Sequence, residues 1–110
     1  MKGLEKKTLG KSGLAVTRVG LGCAPLGGLY GDISESQALE VVHRALSLGM
    51  NVIDTAPLYG YGKSEGRIGN ALQGISRDSY VLATKVGRLL VPLGEGDSNQ
   101  DAQWADPPPV

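Results

Sequence analysis

Glycine punctuates this chain more than any other residue constrains it. Seventeen glycines and six prolines are spread over 110 residues, and they leave apolar stretches long enough only for brief strands and two helices. Such spacing points to many tight connections in one folded domain and stays below the glycine and proline content of low-complexity chains. Phenylalanine is absent, so packing must rest on Leu, Val, Ile and Ala.

The stretches read in a definite order. In Thr8–Val16 two apolar segments flank Gly10-Lys11-Ser12-Gly13, the pattern of a hairpin. Arg18–Cys23 predicts a second brief strand, ended by Pro25 and the Gly27-Gly28 pair. The connection from Ala24 to Ile33 is long for a strand-to-helix link, which marks it as functional. Ser34 opens a helix with Gln37 at the reciprocal position of a capping box. Leu39, Val42 and Leu46, with Ala38 and Ala45, then recur at helical spacing through about Leu48, and Gly49 supplies the stop. Met50–Asp54 predicts a short buried strand, and Thr55–Lys63 a Gly-rich loop. A second helix starts at Ser64, turns Ile68, Ala71 and Leu72 inward and stops near Gly74. Tyr80–Val86 predicts a third core strand. Strands alternating with helices imply an α/β architecture with parallel, right-handed crossovers. Residues 94–110 are polar and close on a proline run, which predicts a domain over 1–92 and an unstructured tail over 93–110.

Composition narrows the function. Eleven basic residues balance eleven acidic ones, so no electrostatic case exists for nucleic acid or an anionic membrane surface. No apolar run approaches the about 18 residues that span a bilayer, and the N-terminus lacks a signal-peptide core, so the expected location is cytoplasmic. A single cysteine, Cys23, excludes an internal disulfide and a Cys-rich zinc site. A single histidine, His43, excludes a multi-histidine metal centre within one chain, and no metal site is expected.

Three residues carry the chemistry. Lys85 interrupts what reads as a strand covered on both faces, where such strands are nearly all apolar. A buried ammonium needs a carboxylate or a depressed pKa. Asp54 ends the neighbouring strand at the same C-terminal edge of a parallel sheet, the edge where ligands bind in such folds. Solvated readings stand beside this one: Lys85 as a rim charge and Asp54 as a turn former. Tyr59, five residues beyond Asp54, completes the constellation. A phenol beside an ammonium is drawn toward its phenolate, and with Asp54 holding the lysine the trio forms a proton donor and acceptor for neutral pH. The plain alternative for Tyr59 is a loop aromatic packed on the second helix.

Asp54-Thr55-Ala56-Pro57-Leu58-Tyr59-Gly60, Lys63-Ser64-Glu65 and Thr84-Lys85-Val86-Gly87 together resemble the aldo-keto reductase superfamily. Leu9–Leu14 and Val19-Gly20-Leu21-Gly22 resemble its N-terminal hairpin and first barrel strand. Ala24–Tyr30 with Lys85–Pro92 is similar to its aldose or pyridoxal dehydrogenase branch. The resemblance covers roughly residues 7 to 92. It implies part of a (β/α)8 TIM barrel: the hairpin, the first three parallel strands and two helices. It also implies NADP or NAD as cofactor, exchanging a hydride with a small-molecule carbonyl, alcohol or sugar. Matched position by position, Tyr59 is the proton donor in reduction, Lys85 tunes it, and Asp54 pairs with Lys85. Gly22, Cys23 and Asp54 fall near the nicotinamide.

The departures are equally definite. The family's catalytic histidine, at the end of the next barrel strand, has no counterpart, and His43 sits on the first helix. The strands supplying most of the cofactor pocket are missing as well. The expectation is therefore an N-terminal piece of an enzyme, marginally folded and inactive alone, with an exposed sheet edge open to self-association. A non-catalytic interaction fragment is the rival reading. Two weaker motifs fail on residues. Gly62-Lys63-Ser64 resembles the end of a P-loop, but Pro57 stands where that motif needs glycine. Gly20-Leu21-Gly22 is followed by Pro25 in place of a dinucleotide fingerprint's third glycine. Cys23 reads most simply as a small buried hydrophobe, and Trp104 as a remnant of a loop.

Overall fold

A computed structural model describes residues 4–92; the 93–110 tail and Trp104 lie outside the described residues. The hairpin forms from β1 (Lys6–Thr8) and β2 (Ala15–Thr17), paired antiparallel with Lys7 opposite Val16. Its turn uses the two predicted glycines, Gly10 at φ +54° and Gly13 at φ +78°, values at which an L side chain would be strained. Asn51 ties the hairpin to the body: its buried side-chain oxygen accepts from the Thr17 amide at 2.7 Å, and its amide group donates to the Ala15 carbonyl at 2.8 Å.

The body is a three-stranded parallel sheet, β3 (Leu21–Gly22), β4 (Val52–Asp54) and β5 (Val81–Ala83), in that order across the sheet. α1 (Glu35–Ser47) links β3 to β4, and α2 (Lys63–Ala71) links β4 to β5. The predicted capping box is present: the Ser34 hydroxyl accepts from the Gln37 amide at 3.1 Å, and the Gln37 side chain accepts from the Ser34 amide at 2.9 Å. Gly49, at φ +99°, follows the last turn.

Strand pleating explains what each face does. Leu21, Ile53 and Leu82 share one register row and one face, and Gly22, Asp54 and Ala83 the next row and the opposite face. On the first face α1 and α2 close over Ile53 with Val42, Ala38, Ile68, Ala71 and Cys23, all nearly inaccessible. Leu82 on β5 remains 41% exposed. The opposite face is open along the Gly22–Asp54–Ala83 row.

Two strand expectations are corrected here. The first parallel strand spans Leu21–Gly22 rather than Arg18–Cys23. The third ends at Ala83, so Lys85 stands beyond the strand and is half-exposed instead of buried within it. The premise of a sheet covered on both faces fails for β5, and the half-exposed Lys85 carries only a partial desolvation penalty. His43 lies on α1, as expected, and its ring Nε2 sits 2.7 Å from the Ala71 carbonyl, joining the two helices.

Candidate active site

The C-terminal ends of the strands bring Asp54, Tyr59 and Lys85 together. Asp54 is the last residue of β4, and on its exposed face the carboxylate points to the rim. Tyr59 lies in the loop between β4 and α2. That loop is held by its own backbone: the Tyr59 amide donates to the Ala56 carbonyl at 3.2 Å, and the Ser64 amide donates to the Tyr59 carbonyl at 3.2 Å. Three successive residues take positive φ, Gly60 at +68°, Tyr61 at +52° and Gly62 at +96°. Gly60 also needs the absence of a side chain for space, since a Cβ there would collide with the backbone of Gly27. The long 24–33 connection and the tyrosine loop thus touch backbone to backbone.

Lys85 reaches this loop from beyond β5. Its Nζ donates to the Tyr59 hydroxyl oxygen at 3.1 Å and to the Thr55 carbonyl at 3.1 Å, and lies 3.6 Å from Asp54 Oδ2. It also lies 4.8 Å from the centroid of the tyrosine ring. The Tyr59 bond, foremost, raises the Lys85 pKa above the ordinary lysine value; partial desolvation opposes this, and the Asp54 carboxylate reinforces it. The ammonium occupies a lone pair of the phenol oxygen and leaves the O–H free to point elsewhere. Asp54 and Lys85 are each about half exposed, 53% and 52%. An ion pair so wet adds little stability, so its value lies in aiming the lysine.

Beneath this rim lies a buried hydroxyl pair that the sequence reading missed. Ser64 is fully buried and Thr55 nearly so. The Ser64 hydroxyl donates to the Cys23 carbonyl at 2.8 Å, which leaves it to accept from the Thr55 hydroxyl at 2.7 Å. The ends of β3 and β4 and the start of α2 are pinned together at one point. Ser64 shares the spacing of Ile68 and Ala71, the inner face of α2, and that periodicity was the available signal. Cys23 lies in the core at 0% exposure, and burial, aided by the nearby Asp54 carboxylate, pushes its thiol up to about 11. Gly22 stands on the open row beside Asp54, and a Cβ there would meet nothing within 4 Å.

Two small clefts flank Tyr59. One, of about 190 Å³, is lined by Ala56, Pro57, Leu58, Lys85, Val86 and Arg88 besides the tyrosine. The other, of about 230 Å³, lies between the tyrosine loop and the 24–33 connection. No group of three or more metal-ligating side chains occurs among the described residues, and no described helix is long and apolar enough to cross a membrane.

Known proteins resemble this chain in sequence and fold. The chain is 43% identical over 90 residues to pyridoxal 4-dehydrogenase of Microbacterium luteolum, covering 82% of this chain and 26% of that protein. It is 41% identical over 90 residues to L-galactose dehydrogenase of Arabidopsis thaliana, covering 80% and 28%. Among solved structures, the holo form of an aldo-keto reductase from Bacillus halodurans superposes with a TM-score of 0.69 at 38% identity, covering 86% of this chain and 28% of that one. An aldo-keto reductase from Klebsiella pneumoniae in complex with NADPH gives 0.61 at 34% identity, covering 74% and 28%. The chain therefore spans about a quarter of the length of the relatives it matches. Its hairpin, three parallel strands and two helices correspond to the opening part of a (β/α)8 barrel. Residues 18–106 match the Aldo/keto reductase family, and the chain is a member of that family.

Proposed function

We propose that these residues form the proton-transfer half of an NAD(P)-dependent oxidoreductase site acting on a small carbonyl compound or the corresponding alcohol, with an aldose or a pyridoxal-like aldehyde as the substrate class. The observation that carries the reading is the Lys85 ammonium 3.1 Å from the Tyr59 hydroxyl, with the Asp54 carboxylate 3.6 Å behind it. In reduction Tyr59 donates its proton to the substrate oxygen, and Lys85 stabilises the phenolate left behind. In oxidation the phenolate takes the proton of the alcohol. Asp54 and the Thr55 carbonyl keep the ammonium on the phenol oxygen through both directions. Positioned acids and bases of this type contribute about 10²–10⁴-fold.

The rim fits a nicotinamide. Gly22 leaves open space on the row it shares with Asp54, and Gly22 and Asp54 would hold that end of the cofactor. The Cys23 side chain faces the core, so its part is to fix the strand end through its backbone bonds to Asp54 and Ser64. When bound, the nicotinamide supplies or accepts the hydride that balances the tyrosine proton.

The test replaces the matched segment of the Microbacterium pyridoxal 4-dehydrogenase with residues 18–92 and follows absorbance at the reduced-nicotinamide band. The expected result is turnover in the grafted barrel, lost about 10²–10⁴-fold in Tyr59→Phe, and turnover too slow to detect for the 110 residues alone. A folded grafted barrel that is inert, or one in which Tyr59→Phe works normally, would overturn the assignment.

A further inference from the structure

Arg67 makes three side-chain hydrogen bonds, and nothing in the proposed chemistry uses it. It lies in the middle of α2 with its side chain only 11% exposed. Its guanidinium spends three N–H groups on three targets. NH1 donates to the Leu26 carbonyl at 2.7 Å, NH2 to the Ile33 carbonyl at 2.9 Å, and Nε to Glu35 Oε1 at 2.8 Å. Leu26 and Ile33 bracket the 27–32 part of the long connection, so one planar fork grips that segment at both ends.

The segment is held besides by two turn bonds, the Gly28 amide to the Pro25 carbonyl at 3.0 Å and the Gly31 amide to the Gly28 carbonyl at 3.2 Å, and by the contact of Gly27 with the Gly60 backbone. Gly28 and Gly31 take φ +91° and +136°, and Leu29 and Tyr30 are 54% and 84% exposed. Yet it forms one wall of the about 230 Å³ cleft whose other wall is the tyrosine loop, with Leu29 and Gly28 facing Leu58, Tyr59 and Tyr61 across it. No charged side chain lines that cleft among the described residues. α2 itself is fixed to the tyrosine loop through the Ser64 amide. Beside the direct Gly27–Gly60 backbone contact, Arg67 is therefore a second link, from α2 to both ends of the wall opposite Tyr59.

We infer that Arg67 is a positioning residue: by clamping both ends of the 27–32 segment it sets the width of the uncharged cleft beside Tyr59, and with it the fit of the uncharged part of a substrate. This role rests on the oxidoreductase reading for its functional half and on geometry alone for its structural half. Lysine cannot replace it, because one ammonium cannot reach two carbonyls and a carboxylate in a fixed plane. Glu35 is dispensable to the clamp, since both carbonyl bonds survive without it.

In the grafted barrel, the experiment compares Arg67→Lys and Glu35→Gln with the unsubstituted sequence by amide hydrogen exchange, resolved by segment, and by chymotryptic cleavage after Tyr30. Arg67→Lys is expected to speed exchange over 27–32 by at least about tenfold while Val42 and Ile53 keep their protection, and Glu35→Gln to leave all of these unchanged. In the grafted barrel, Arg67→Lys raises KM for pyridoxal several-fold with kcat altered less than about twofold. The inference is overturned if 27–32 exchanges freely in the unsubstituted sequence, if Arg67→Lys leaves the segment protected, if core and segment loosen together, or if Glu35→Gln matches Arg67→Lys. Absence of turnover in every grafted barrel would sink the oxidoreductase reading and leave the exchange data to decide the clamp.

Discussion

The rim and the layer beneath it are built on opposite terms. At the rim, Asp54 and Lys85 are half-exposed, and the contacts that join them to Tyr59 run from 3.1 to 3.6 Å. One layer down, Ser64, Thr55 and Cys23 are buried, and their bonds measure 2.7 and 2.8 Å. Groups that must exchange protons with a ligand need access and tolerance in distance. Groups that aim them need neither, and a satisfied buried network holds its geometry more firmly than a solvated one. On the proposed function, the difference teaches that precision is supplied from below and chemistry is performed above.

The sharpest way to break that division is to disturb the point where the two loops touch. Gly60→Ala places a methyl against the Gly27 backbone in a residue held at φ +68°. Left-handed backbone costs an L residue about 1–2 kcal/mol, and overpacking adds about 1–3. A loss of about 3 kcal/mol in urea unfolding is expected, with Tyr59 displaced from Lys85.

The next effect tests the buried layer through pH. Burial first, and Asp54 second, raise the Cys23 thiol from 9.0 to about 11. A folded pKa above the unfolded one means that the native state holds its proton longer. The contribution is complete below pH 9.0 and is lost as pH climbs through about 11. Two pH units correspond to about 2–3 kcal/mol, so unfolding midpoints fall across that window and most of the fall disappears in Cys23→Ala. At neutral pH the same thiol resists iodoacetamide until the chain unfolds.

A somewhat smaller loss is expected from Ser64→Ala, which removes the hydroxyl serving both Thr55 and Cys23. Stranding buried polar atoms costs about 1–3 kcal/mol. Thr84→Val supplies the contrast: its hydroxyl bonds Glu65 at 2.8 Å on the exposed side, and a change within about 0.5 kcal/mol is expected. Equal losses for the two would erase the distinction between the layers.

These layers were not equally legible beforehand. Local patterns carried the secondary structure: Ser34 and Gln37 announce their cap, Gly49 and Gly74 their stops, and the period of Leu39, Val42 and Leu46 their helix. The rim trio was legible because strand ends in a parallel sheet converge on one edge, so Asp54 and Lys85 could be placed together before any coordinates. The reasoning for Lys85 was nonetheless wrong in detail. A strand signal of Tyr80–Val86 shows apolar character without showing which faces are covered. Thr55, Ser64 and Arg67 escaped because their roles are made by contacts between elements far apart in sequence. A serine one position into a helix looks like a cap, and an arginine looks like solvent-facing charge, until the facing loop is in place.

The smallest predicted effect belongs to the rim and follows from its wetness. The Tyr59 hydroxyl foremost, and Asp54 after it, raise Lys85 above 10.5. That contribution is whole below pH 10.5 and fades as pH rises through the folded value. Because lysine and carboxylate are both half-exposed, water and salt screen most of it. The signal must be sought where the thiol cannot mask it, in a Cys23→Ala background, by comparing urea midpoints near neutral pH with those at about pH 11–12. A slight alkaline loss there, removed by Lys85→Met and halved or more by added salt, is the expected pattern. An alkaline loss as large as that of Cys23 would mean that the rim carries folding energy as well as chemistry, and the separation of the two layers would have to be abandoned.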